Sequence, residues 1–176
     1  MVDSQNRPRK KPRVAILMGS DSDLEVMNEG ARILDDFGIS YEIKVLSAHR
    51  SPADLLDFVQ KAPKRGVEVF ICGAGGAAHL AGVVAAHTIR PVIGVPLNAT
   101  ALGGLDALLA TVQMPAGTPV ATMAVGKPGA RNAALLACQI LALGDRSLQG
   151  RLEAFKKKMA EGVRKKNEAL EKRPST

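Results

Sequence analysis

Five short runs rich in β-branched residues recur along the chain, each followed by a longer segment with helical spacing. This alternation restricts the fold more than any other feature. The runs are Val14–Met18, Tyr41–Val45, Val67–Cys72, Val92–Val95 and Val120–Val125, several of them bounded by Gly or Pro. The segments between and after them predict helices over Leu24–Phe37, Ala53–Lys61, Leu80–Thr88, Gly104–Val112, Ala130–Leu143 and Arg146–Glu171. Asp23 is an N-cap residue type ahead of the first helix, Gly38 stands just past its end, and Pro52 takes the first position of the second, where a missing N–H costs nothing. Strict alternation with continuously apolar strands predicts a parallel sheet covered on both faces. Right-handed crossovers then give an α/β fold, a doubly wound, flavodoxin-like three-layer α/β/α sandwich with a five-stranded parallel sheet in order 2-1-3-4-5.

A chain of 176 residues suits one such domain. The reading is a basic tail over 1–13, the α/β domain over 14–145, and a C-terminal helical segment with a basic tail over 146–176. Hydrophobic residues at 46% and charged residues at 23% are ordinary globular values and exclude a disordered or fibrous chain. The net charge of +7 lies in the tails: residues 1–13 carry +4 and 151–176 carry +5, leaving −2 on 14–150. A nearly neutral body, with 3% aromatics and no Trp, argues against nucleic-acid binding, which relies on basic faces and stacking platforms. The charge-free stretches 69–89 and 107–126 have membrane-span length but are interrupted by Gly and by Pro, so no membrane association is expected. Cys72 and Cys138, each in an apolar segment, read as buried reduced thiols of a cytoplasmic protein. VAILMG after the basic N-terminal stretch is strand-like and predicts no secretory signal.

In a parallel sheet every strand-to-helix loop leaves on one edge, where open α/β folds bind ligands. Nearly all residues suited to phosphate or proton chemistry fall in those loops. Gly19-Ser20-Asp21-Ser22-Asp23 supplies hydroxyls, carboxylates and amides for a phosphate or a ribose diol, or simply caps a helix. Ser47-Ala48-His49-Arg50 sets an imidazole, able to take and give a proton near neutrality, beside a guanidinium fork for phosphate. Gly73–Ala78 matches the G-x-G-x-x-A dinucleotide pattern, but it follows the third strand and no acid occurs before Asp106, so a dinucleotide is not expected. Its glycines still allow close backbone approach to a ligand. His79 opens the next helix as a second candidate polar contact, and His87 reads as structural. Three scattered His and two distant Cys make no metal-ligand set.

The motifs MGSDSD, SAHRSP, GAGGAAHLAG and QMPAGTPVATMAVGKPGARNAALLA, in this order and spacing, resemble the class I N5-carboxyaminoimidazole ribonucleotide mutases, also called the catalytic subunit of phosphoribosylaminoimidazole carboxylase. The likeness runs from Val14 to Asp145. It implies an isomerase of de novo purine biosynthesis that moves a carboxylate from the exocyclic nitrogen of a small-molecule ribonucleotide to ring carbon 4. It also implies a homo-octamer with active sites at subunit contacts, and no cofactor or metal. On the matching positions, His49 is the proton carrier, Ser20, Asp23 and Arg50 bind substrate, and Ser22, Ser47 and Gly75 line the pocket. The chain departs from the family at Ala81, where a Pro is usual, and over 98–104, where a Ser/Ala-rich stretch is usual; both leave pocket shape open. Direct carboxylation of the uncarboxylated nucleotide and a non-catalytic nucleotide-binding module are the rival readings. The apolar stripe Leu148, Leu152, Phe155 and Met159 is expected to dock on a neighbouring subunit.

Overall fold

The structure, a computed structural model, describes residues 11–171. The basic residues within 1–10 and 172–176 lie outside the described residues. Five parallel strands form one sheet in the expected order: β2 (Tyr41–Val45), β1 (Val14–Met18), β3 (Val69–Gly75), β4 (Val92–Leu97) and β5 (Ala121–Thr122). Ile16 of β1 lies opposite Ile43 on one side and Ile71 on the other, which sets the register of the three strands that carry the site. β1 is fully buried along its length, as a strand sandwiched on both faces must be.

The period-2 alternation of side chains splits the core into two layers. Ala15, Leu17, Phe70 and Cys72 point to one face and pack with Leu55 and Val59 of α2 (Pro52–Arg65) and with Leu80 and Val84 of α3 (Leu80–Ala86). α4 (Leu105–Val112) lies on the same side, with the Thr111 methyl directly over Gly94, where any side chain would overlap it. The opposite face carries α1 (Leu24–Asp36) and α5 (Lys127–Ala142): Met27 covers Gly73, and Gly30 meets the backbone of Ala130. The chain divides into two units, one through Ala137 and one from Cys138 onward. In the second, Asp145 accepts a hydrogen bond from the Leu148 amide at 3.0 Å, opening α6 (Arg146–Glu171), and Gln149 donates to the Ala142 carbonyl at 2.8 Å. Along α6 Leu148 is buried, Leu152 and Phe155 are half-buried, and Met159 is exposed.

Several bounds differ from the sequence reading, and for three elements the reason is identifiable. β3 begins two residues later, because the Val67 amide still bonds the Ala62 carbonyl in the turn leaving α2, and it runs on through Gly75, paired to Leu97. α2 continues through Pro63 to Arg65 and closes at Gly66, whose amide reaches the Ala62 and Pro63 carbonyls. β5 is two residues long rather than six. Gly94 and Pro96 both face β5, and their carbonyls accept from the Met123 and Gly126 amides, both at 2.9 Å. Three residues advance on β5 for two on β4, and Pro96 has no N–H to return, so regular pairing stops there.

The chain leaving β5 turns back so tightly that a Cβ at Gly129, in the first turn of α5, would fall on the Ala124 carbonyl. Gly129→Ala is therefore expected to lower unfolding free energy by about 2 kcal/mol or more. Gly150→Ala, in α6 with open space around it, is expected to raise helix stability by up to about 1 kcal/mol. Denaturant titration of the two variants checks the contrast.

Candidate functional site

The loops after β1, β2 and β3 meet where the strand order reverses, the position at which doubly wound sheets open a crevice. A cleft of about 440 Å³ lies there. All seven residues expected to form the site line it: Ser20, Ser22, Asp23, Ser47, His49, Arg50 and Gly75. Gly19, Ala48, Ala74, Ala78, His79, Leu80 and Ala99 complete its wall.

The first loop is shaped by Ser20. Its hydroxyl accepts from the Ser22 amide at 3.4 Å and from the Ser22 hydroxyl at 2.9 Å, and itself donates to the Asp21 carboxylate at 3.2 Å. This closes a single 3-10 turn, Asp21–Asp23, ahead of α1. Asp23, an N-cap residue by type, makes no side-chain capping bond, because its backbone is already helical at φ −84°, ψ −11°. Asp23 lines the cleft. Burial raises the Asp23 pKa above its ordinary 3.8, while the Ser20 amide, the Ser22 hydroxyl and the Arg50 charge pull it down and Asp21 adds to the rise.

The second loop is a turn held by two serines. The Ser47 amide donates to the Ser51 hydroxyl at 3.0 Å, and the Ser51 amide to the Ser47 carbonyl at 3.1 Å. Ser51 thus spends its side chain inside the turn instead of capping α2. His49 and Arg50 sit exposed at the tip. The Arg50 amide donates to the Ser47 hydroxyl at 3.1 Å, and its Nη2 donates to the Gly19 carbonyl at 2.5 Å. Arg50 therefore ties the second loop to the first, with its Nε donating to the Ser47 hydroxyl at 3.5 Å, and it lines the cleft.

The third wall needs its glycine: a Cβ at Gly75 would overlap Ala99, which follows β4. Beyond it the chain turns sharply at Gly76, φ 60°, and Ala78, φ 32°, the one described non-glycine residue with positive φ. Such a conformation costs a side-chain-bearing residue on the order of 1–3 kcal/mol. The turn delivers His79 to the start of α3, where its Nδ1 lies 2.8 Å from His49 Nε2 and the rings meet edge to face at 76°. The sequence offers His79 only as a second candidate polar contact outside the expected site; its place directly after the glycine loop, on the same edge as His49, is the available signal. His87 bonds the Val83 carbonyl of its own helix at 2.8 Å, outside the cleft. Ala81 is buried against the sheet, and of the stretch 98–104 only Ala99 reaches the cleft. Cys72 is fully buried, and burial pushes its thiol well above the ordinary value, which removes it as a nucleophile.

The arrangement sets side chains able to carry a proton beside groups able to bind an anion: imidazoles, a guanidinium, serine hydroxyls and loop amides around one opening. A family model described as AIR carboxylase matches residues 13–162. Among similar proteins, one from Pyrococcus horikoshii named N5-carboxyaminoimidazole ribonucleotide mutase is 52% identical, over 92% of this chain and 90% of its own. Proteins of the same name from Mycobacterium leprae and Thermotoga maritima are 51% and 49% identical over 93% and 91% of this chain, covering 94% and 92% of theirs. The crystal structure of Treponema denticola PurE superposes with a TM-score of 0.83 at 28% identity, covering 92% of this chain and 99% of that one.

A carboxyl with raised pKa holds its proton to higher pH folded than unfolded. Its stabilising contribution is full below the unfolded pKa and lost as pH rises through the folded one. Asp23→Asn cannot ionise, so its melting temperature relative to wild type is expected to increase as pH is raised from the acid side of 3.8 to neutrality. A difference that narrows instead would mean that Arg50 outweighs burial.

Proposed function

The chain belongs to the AIR carboxylase family, and we propose that it acts as an N5-carboxyaminoimidazole ribonucleotide mutase, with His49 as the proton carrier. The observation that carries this reading is the position of His49, exposed in the cleft at the carboxyl ends of the strands, beside Arg50 and the serine-rich loop. Arg50, Ser20, Ser22 and Ser47 hold the phosphate and ribose end of the nucleotide, and Asp23 accepts from a sugar hydroxyl or a ring amine. Orientation of this kind turns a loose encounter into a reactive one.

The exocyclic C–N bond of the carbamate breaks as His49 gives a proton to the departing nitrogen, releasing carbon dioxide within the cleft. The aminoimidazole then attacks through carbon 4, forming the new C–C bond. Carbon 4 now bears both hydrogen and carboxylate, and His49, neutral after the first step, removes that hydrogen and restores aromaticity. One proton is given and one taken, so the imidazole ends as it began. The ring's own electron pair supplies the nucleophile, so the reaction asks for no cofactor.

The assembly in this reading is an octamer with sites at subunit contacts, and two features support it. The cleft is open, and α4 with the turn before it exposes Leu102, Leu105, Leu109 and Val112 on one stripe. Among the described residues no helix is long and apolar enough to cross a membrane, and the buried thiols suit a reducing cytoplasm. Sedimentation is expected to find octamers; monomers alone would remove the assembly from the proposal.

His49→Asn keeps the volume and polarity of the ring but cannot carry the proton. It is expected to bind the nucleotide while losing at least about 100-fold in turnover. Activity near wild type would sink the proton-carrier role. Assays without ATP on the carbamate substrate, and separately on the uncarboxylated nucleotide with bicarbonate, separate isomerisation from direct carboxylation. The first is expected to be the efficient reaction.

A further inference from the structure

The His49–His79 contact has a direction that the proposed chemistry decides. At 2.8 Å the two facing nitrogens share one proton, so one ring donates and the other accepts. If His79 donates, it occupies the Nε2 lone pair of His49, whose proton then sits on Nδ1. That ring can give its proton only by becoming an imidazolate. If His49 donates, Nε2–H stays engaged while Nδ1 is free to hold a proton or a lone pair. The imidazolium and the neutral ring then share one hydrogen bond and one orientation. Only the second arrangement serves both halves of a give-and-take cycle.

Resting on the assignment of His49 as proton carrier, we infer that His79 is a positioning residue: it accepts from His49 Nε2–H, fixes the tautomer, and leaves Nδ1 as the nitrogen that meets the substrate. The role parallels that of the carboxylate which orients a catalytic histidine, with one physical difference. An imidazole acceptor is neutral. A carboxylate in its place would set a negative charge against a substrate that already carries a carbamate and a phosphate, in a cleft where Asp23 already lies near Arg50. The backbone supports the assignment, since left-handed Ala78 is buried and holds His79 at the mouth of α3.

The test has a spectroscopic arm and a kinetic one. In wild-type protein, nitrogen-15 correlation spectra of the histidine rings above their titration range are expected to show His49 as the Nε2–H tautomer, moving to a mixture in His79→Ala. His79→Ala is expected to lower kcat about 10–100-fold with KM changed by no more than about twofold, and His79→Gln, which keeps an acceptor, to recover part of the loss. A wild-type His49 protonated on Nδ1 overturns the inference, and so does an unaltered kcat in His79→Ala. So does a loss confined to KM, which would make His79 a substrate contact. An inactive His49→Asn beside a fully active His79→Ala rejects this inference alone, whereas an active His49→Asn rejects the proton-carrier assignment and this inference with it.

Discussion

Parallel pairing of β1 with both β2 and β3 is the constraint from which the site follows. Register places Met18 level with Val45 and Gly73, so β1 and β2 end in one residue layer, β3 ends two residues further on, and the three loops leave side by side. The buried strands leave no slack, since a one-residue slip would turn an apolar layer toward the wrong face. Residues separated by about thirty positions in the chain thus come into hydrogen-bond contact: His49 with His79, Arg50 with Gly19. Neither contact needs a long flexible segment, and the precision of the site is that of the sheet.

Within this frame the cleft balances opposing charge demands. A phosphorylated, carboxylated substrate calls for positive groups, yet the first loop brings the Asp23 carboxylate into the wall. Arg50 answers part of this by lying near Asp23 and bridging to the Gly19 carbonyl, so the guanidinium stiffens the wall as well as offering donors. The remaining donors are hydroxyls and amides, which favour anions without the strong field of clustered cations.

Much of this is legible in the amino-acid sequence. The β-branched runs mark β1 and β2 to the residue, and right-handed crossovers together with the doubly wound pattern give the strand order. Loop residues such as His49, Arg50 and Ser20 stood out because the chemistry-bearing types fall almost nowhere else. What escaped did so for local reasons. β5 reads as a six-residue strand because its own residues are β-formers; the interruption comes from Pro96 on its neighbour, a long-range effect. Asp23 reads as a cap because its type fits, and only its helical backbone shows that Ser20 has taken that work one turn earlier. The imidazole pair escaped because its partners belong to different strands, and nothing in either local sequence announces the other.

The two rims of the sheet share a property that bears on how copies of this chain can meet. On one rim β2 offers Glu42, paired with Arg65, and an exposed Lys44; on the other, β5 is too short to offer a ladder. Both are poor templates for an incoming strand. Growth by end-to-end sheet extension, the route to fibres, finds no purchase at either side, and closed contacts through the helical layers are the form of association this architecture leaves open.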